Sequence, residues 1–202
     1  MPSLLKFTGG VAAACLLAAS GCALTTETIH IDYPAPAAVE KIKGAEAIQV
    51  KVEVRDLRSS QSREVARKIN GFGSEMAPIL NDEDIPALVK RAIEAELRAR
   101  GYGLEGGKVP LQIELLAFVH RYNSGFFSGD SKAEVSLVVR VKDAQGKELY
   151  TDTFMDTFQH SAGVFGGGNV KQAYEQALPG AVRKLMGKAE FHAALAKAAE
   201  GA

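Results

Sequence analysis

A chain of 202 residues, 47% hydrophobic and 24% charged, is long enough for one domain with a real core. It is too apolar for an intrinsically disordered chain. Its 24 basic residues balance 24 acidic ones, so there is no electrostatic footprint for nucleic acid.

The chain opens with Lys6 and a short apolar run, "VAAACLLAA", Val11 to Ala19. That run is too short for a bilayer of ~30 Å, which needs roughly 20 residues. It fits the apolar region of a secretory signal. Ser20 and Gly21 then precede Cys22, and this ending resembles the lipobox of bacterial lipoproteins. The usual leucine three residues before the cysteine is replaced by Ala19, with Leu17 two positions earlier. The resemblance implies a lipoprotein signal peptide over 1–21, removed before Cys22 together with Cys15. The remaining thiol at Cys22 would carry a diacylglyceryl group, and its amine a further acyl chain such as palmitate. Two or more chains anchor stably, at ~0.8 kcal/mol per buried CH₂. With one cysteine left, no internal disulfide can form. In lipoproteins an Asp after the cysteine marks inner-membrane retention. Ala23 stands here, which implies the outer membrane of a Gram-negative envelope, facing the periplasm.

Residues 22–46 read as an acylated tether with one strand near Thr28–Tyr33, broken by "PAPAA". Extended, such a tether reaches at most ~80 Å and holds the domain clear of the lipid. A single α+β domain over 47–202 follows. Ile48, Val50, Val52 and Val54 alternate with polar residues and predict a half-buried strand. Two short strands are expected near Glu64–Ile69 and Ser74–Leu80. Ile85, Leu88, Val89, Ala92, Ile93 and Leu97 then follow a 3.6-residue period, with Glu96 the polar residue of the stripe. Asp82, Glu83 and Asp84 suit the start of that helix, Pro86 its first turn, and Gly101 its end.

Three strands come next. The first runs Val109 to His120, with Leu111, Ile113, Leu115, Ala117 and Val119 on one face. Residues 132–142 and 148–159 predict a hairpin about the "DAQG" turn, Asp143–Gly146. Tyr150, Phe154 and Phe158 share one face of its second strand, and Thr151, Thr153 and Thr157 the other. A long apolar stripe from Val170 to Met186 predicts a helix capped by Asn169 and kinked or split at Pro179. A last helix covers Phe191–Ala199. This order predicts a mostly antiparallel sheet with helices packed on one face.

The strand at 48–55, then "RDLR", "INGFG", a helix ending "ELRARGY" and the strand "VPLQIELLAF" resemble the YajG family of bacterial lipoproteins. The resemblance spans most of the mature chain. It implies an envelope lipoprotein and brings no reaction with it. Similar helix ends occur in lipoproteins that assist ABC-type lipid transporters. The expected function is therefore a non-catalytic binding or envelope-assembly module, with an auxiliary lipoprotein of lipid transport as the alternative.

The chemistry in the chain is sparse. His30, His120, His160 and His192 lie on separate elements without metal-ligand spacing, so no metal, cofactor or catalytic residue is expected. Asp152 and Asp156 share a strand face about 13 Å apart, too far for a glycosidase pair, and read as a solvated face. "GVFGGG", Gly163–Gly168, lacks the ending of a phosphate loop and reads as a connection into the last long helix. The distinctive surface candidates are Phe126 and Phe127 in "GFFSG", with Phe72 and Phe165 as neighbours. Between glycines at a predicted hairpin tip, Phe126 and Phe127 suit contact with an envelope protein or with lipid.

Overall fold

The computed structural model describes residues 24–34, 36, 38–70, 72–124, 129–163 and 165–201. Cys22, Phe126 and Phe127 lie outside them. The elements are β1 (Glu27–Ile29), β2 (Val50–Asp56), β3 (Glu64–Ile69), β4 (Glu75–Asn81), α1 (Ile85–Ala99), β5 (Val109–Ser124), β6 (Gly129–Lys142), β7 (Glu148–Ala162), α2 (Gly167–Met186) and α3 (Ala189–Glu200). The α+β class holds, but the strands divide into two sheets. A four-stranded sheet runs β2-β5-β6-β7 and a three-stranded one β1-β4-β3. The long β5–β6–β7 pairings are antiparallel, while β2–β5 and β1–β4 are parallel. The parallel pair β2–β5 follows from the intervening β3, β4 and α1, which return the chain to the sheet in the same direction.

The helices cover one face of the larger sheet. The hairpin of β6 and β7 has the expected register, with Val135, Leu137, Val139 and Val141 fully buried. On β7 Phe154 is buried while Thr151, Thr153 and Thr157 are exposed, as the alternation requires. Helix α1 buries the predicted stripe, and Gly101 turns out of it at φ +98°, where a side chain would be strained.

Four details differ from the sequence expectation, each for a physical reason. A β-bulge between Leu115 and Ala117 shifts the alternation of β5 by one residue. Phe118 therefore takes the buried face, and Val119 is partly exposed in place of it. The acids before α1 do not cap it. Asp82 accepts from His30, Asp84 accepts from the Ser62 hydroxyl at 2.7 Å, and Glu83 pairs with Arg91. Helix α2 begins at Gly167, ahead of Asn169, and is continuous through Pro179. Its N-terminus faces Glu27, whose carboxylate accepts the Gly167 N–H at 3.2 Å and meets the positive end of the helix dipole.

The fourth difference concerns the segment expected to be a tether. Much of it is packed on the body. β1 pairs with β4, and Asp82 N–H donates to the Ile29 carbonyl at 2.9 Å. Ile31 is 0% exposed, and its N–H donates to the buried Asn81 carboxamide. The Tyr33 hydroxyl donates to Glu96 at 2.8 Å, which gives the polar residue of the α1 stripe its partner. Lys171 on α2 clamps the His30 carbonyl and the Asp32 carboxylate. The folded body thus begins near Glu27 rather than Ala47, which removes most of the expected reach. Ile31→Ala should cost about 2–5 kcal/mol through the cavity it leaves. A thermal melt of the 23–202 chain that did not move would place this segment off the core.

Candidate functional site

A concavity opens where the two sheets meet. β5 pairs with β2 only as far as Leu115, while β6 continues along its other edge to Ser124. From Leu116 onward one edge of β5 has no strand partner among the described residues. β3 is an edge strand of the small sheet. These two edges border a cleft of about 600 Å³. Runs of consecutive residues line it, Glu64 to Arg67 on β3 and Phe118 to Asn123 on β5. Side chains of a strand alternate between faces, so a consecutive run means that each strand meets the cleft edge-on.

Aromatic packing forms the floor. Phe118 stacks on Tyr174 of α2 with ring centroids 4.0 Å apart and 9° between planes. The buried Tyr174 hydroxyl donates to the Val65 carbonyl at 2.8 Å, which joins the helix to the small sheet. Phe165 lies 4.9 Å from Tyr122 and 5.7 Å from His120. The bulge is what brings Phe118, His120 and Tyr122 to this side. Its signal in the sequence is the adjacent apolar pair Leu115-Leu116, where strict alternation breaks.

One wall is electrostatically fixed. The nearly buried Arg58 guanidinium donates to both oxygens of Asp56 at 2.9 and 2.7 Å, and to the Glu64 and Ser62 carbonyls. Burial pushes the Asp56 carboxyl up, but the hydrogen bonds and charge of Arg58 outweigh it and hold the group below its usual range. "RDLR" is thus a structural clamp whose cation is fully used. Arg67 pairs with Glu64 at 3.0 Å and reaches Glu75 at 3.9 Å.

His120 and Ser131 share a hydrogen bond of 2.7 Å across β5 and β6, and Ser131 reaches the Asn169 carbonyl at 3.3 Å. Burial first, and the neighbouring charge of His160 second, push the His120 imidazole down to about 4. His160 sits opposite Ser131 on β7, and neither ring nitrogen has a hydrogen-bond partner among the described residues. No cluster of three or more His, Cys, Asp or Glu side chains suited to a metal occurs among the described residues. His192 holds the Met186 carbonyl and meets the Tyr102 hydroxyl, and His30 bridges Asp32 and Asp82. Asp156 pairs with Lys184 at 2.8 Å and Asp152 approaches Lys188 at 3.9 Å. Asp152 keeps a side-chain exposure of 42%, whereas Asp156 is tucked beneath α2, where Gly180 leaves room for it.

The depressed His120 predicts an acid sensitivity. An unfolded imidazole titrates near 6.5, so between pH 6.5 and about 4 the unfolded chain binds more protons than the folded one. Stability therefore falls as pH drops through that window, by roughly 3 kcal/mol for this group. His120→Gln should flatten that part of the pH profile. Equal slopes of melting temperature against pH in both proteins would contradict the assignment.

The strands and helices form a small α+β domain with an edge-lined cleft, and among the described residues no group of three His, Cys, Asp or Glu side chains is placed to hold a metal. The chain belongs to a family of uncharacterised lipoproteins, which it matches over residues 35–196. A Xanthomonas campestris protein of the DUF330 family shares the fold, with a TM-score of 0.54 at 15% identity, over 81% of this chain and 93% of that one. Fainter likenesses include a candidate lipoprotein of Caulobacter crescentus, at 12% identity, 78% and 94% coverage and a TM-score of 0.44. A minor lipoprotein of Acinetobacter baumannii gives 12% identity, 74% and 94% coverage and a TM-score of 0.39. No curated protein matches in sequence.

Proposed function

We propose that this lipoprotein, of YajG type, is anchored through acylated Cys22 in the outer membrane, faces the periplasm, and is a non-catalytic binding module. The observation that carries the reading is the cleft between the two unpaired strand edges. Apart from the Glu64 and Val65 carbonyls, which Arg58 and Tyr174 hold, such edges offer backbone donors and acceptors to which an extended segment of a partner can add as a strand. The aromatic floor supplies contact area, and the fixed Arg58–Asp56 clamp keeps the wall rigid. Phe126 and Phe127 connect the paired ends Ser124 and Gly129, and we retain them as contacts for the same envelope partner. The lipid-transport alternative calls for an apolar groove large enough for an acyl chain. The charged lining of Arg58, Glu64, Arg67, Glu75 and Arg121 favours a peptide instead.

A photoreactive residue at Val119, on the β5 side of the cleft, tests this in living cells. It should give a discrete adduct with an envelope protein, and a bulky Ala66→Trp change on the opposite side should abolish it. The same residue at Gln145, in the remote turn before β7, should give none. Identical adducts at 119 and 145, or an adduct indifferent to Ala66→Trp, would remove the cleft from the binding account.

A further inference from the structure

We infer that the end of the molecule carrying the β3–β4 turn rests on the membrane surface, with the Phe72 ring at the lipid interface. The inference rests on the reading of Cys22 as the anchor. Only five chain steps separate Cys22 from Glu27, the first residue of β1. Extended, they reach roughly 17 Å.

The direction of that short leash follows from the register. β1 runs parallel to β4, with Glu27 opposite Ile79. Traced backwards from Glu27, the strand direction points to the start of β4 at Glu75, about 13 Å away. The turn 70–74 lies just beyond. The anchor therefore lies within roughly 17 Å of Glu27, on the side of the turn, and cannot hold the body far from the bilayer. Other chain ends meet at the same pole. The start of α2 is bonded to Glu27, β7 ends nearby at Ala162, and β5 and β6 meet there at Ser124 and Gly129. The turn of Asp143–Lys147 lies at the other end of the β6–β7 hairpin.

The turn is built to present its aromatic ring. The Asn70 carboxamide oxygen accepts the N–H groups of Phe72 and Ser74, each at 3.0 Å. The Asn70 N–H donates to the Ser74 carbonyl, and the Gly73 N–H to the Asn70 carbonyl. Gly73 supplies a φ of +79° that a side chain would strain. With these bonds in place Phe72 is 96% exposed, and Leu24 on the leash is 66% exposed. Among the described residues, the cations nearest the turn are already paired, Arg67 with Glu64 and Glu75 and Lys68 with Glu27. The pole's contact with the bilayer is apolar, and aromatic rings favour the water–hydrocarbon boundary. The cleft, whose lining includes Ile69, Glu75 and Asn123 at this end, then opens beside the membrane.

The test uses the purified, acylated full-length protein in vesicles of phosphatidylethanolamine and phosphatidylglycerol. Acylated Cys22 has no free thiol, so Phe72→Cys and Gln145→Cys each carry one reactive site for a polarity-sensitive fluorophore. The label at 72 should shift to the blue and lose emission when doxyl-labelled phospholipid is included, while the label at 145 does neither. Flotation with the vesicles but no shift or quenching at 72 would overturn this inference and leave the anchor standing. A blue shift at 72 already present in the unacylated 23–202 chain in detergent-free buffer would overturn it in favour of a second copy covering the ring. Failure to float would overturn the anchor and this inference together.

Discussion

Val139→Asp should unfold the 23–202 chain or lower its melting temperature drastically. Val139 is 0% exposed, between Ile113 on β5 and Asp152 on β7. A carboxylate there has no partner within the core, and burying such a group costs several kcal/mol. Asp152 directly opposite adds like-charge repulsion. Domains of this size hold only about 5–15 kcal/mol in total, so one such change removes a large part of it. Thr153→Asp, one strand away on the exposed face, should stay within about 0.5 kcal/mol of the parent. Equal melts for the two variants would mean that the β6 register is wrong.

That prediction was accessible from the sequence because β6 places Ala133, Val135, Leu137, Val139 and Val141 at every second position. The same holds for α1, whose apolar stripe and terminal Gly101 are local signals. What the sequence hid was non-local. The division into two sheets depends on β1 pairing with β4 across some 50 residues, and three-residue β1 has too little pattern to announce it. The carboxylates before α1 looked like caps because capping is a local rule. Partners from distant elements, His30, Ser62 and Arg91, took them. Ile31 and Tyr33 read as tether because "PAPAA" follows them, yet Asn81 and Glu96 supply buried polar partners that hold the segment down.

The cleft was invisible for a related reason. Its lining joins β3, β5 and the approach to α2, and its inward rings appear only after the one-residue slip at Leu116. Arg58 stood within the quoted "RDLR", but its role needs Asp56, Glu64 and Phe118 in three dimensions. Of the surface aromatics singled out, the structure shows Phe72 exposed on the turn between β3 and β4 and Phe165 packed against Tyr122.

The second large effect is Cys22→Ser. Several acyl chains buried at ~0.8 kcal/mol per CH₂ hold a lipoprotein stably, whereas a single chain binds only marginally. Serine cannot accept the thioether-linked diacylglyceryl group. The variant should therefore incorporate no labelled palmitate, and leave the membrane fraction as a soluble or uncleaved protein. With it would go the geometry of the leash; among the described residues no helix is long and apolar enough to cross a membrane. The most direct single measurement is the intact mass and N-terminal peptide of the protein extracted from envelopes. The account predicts a chain that begins at Cys22 and carries both diacylglyceryl and amide-linked acyl groups. A chain that retains residues 1–21, or one with an unmodified Cys22 thiol, would contradict it.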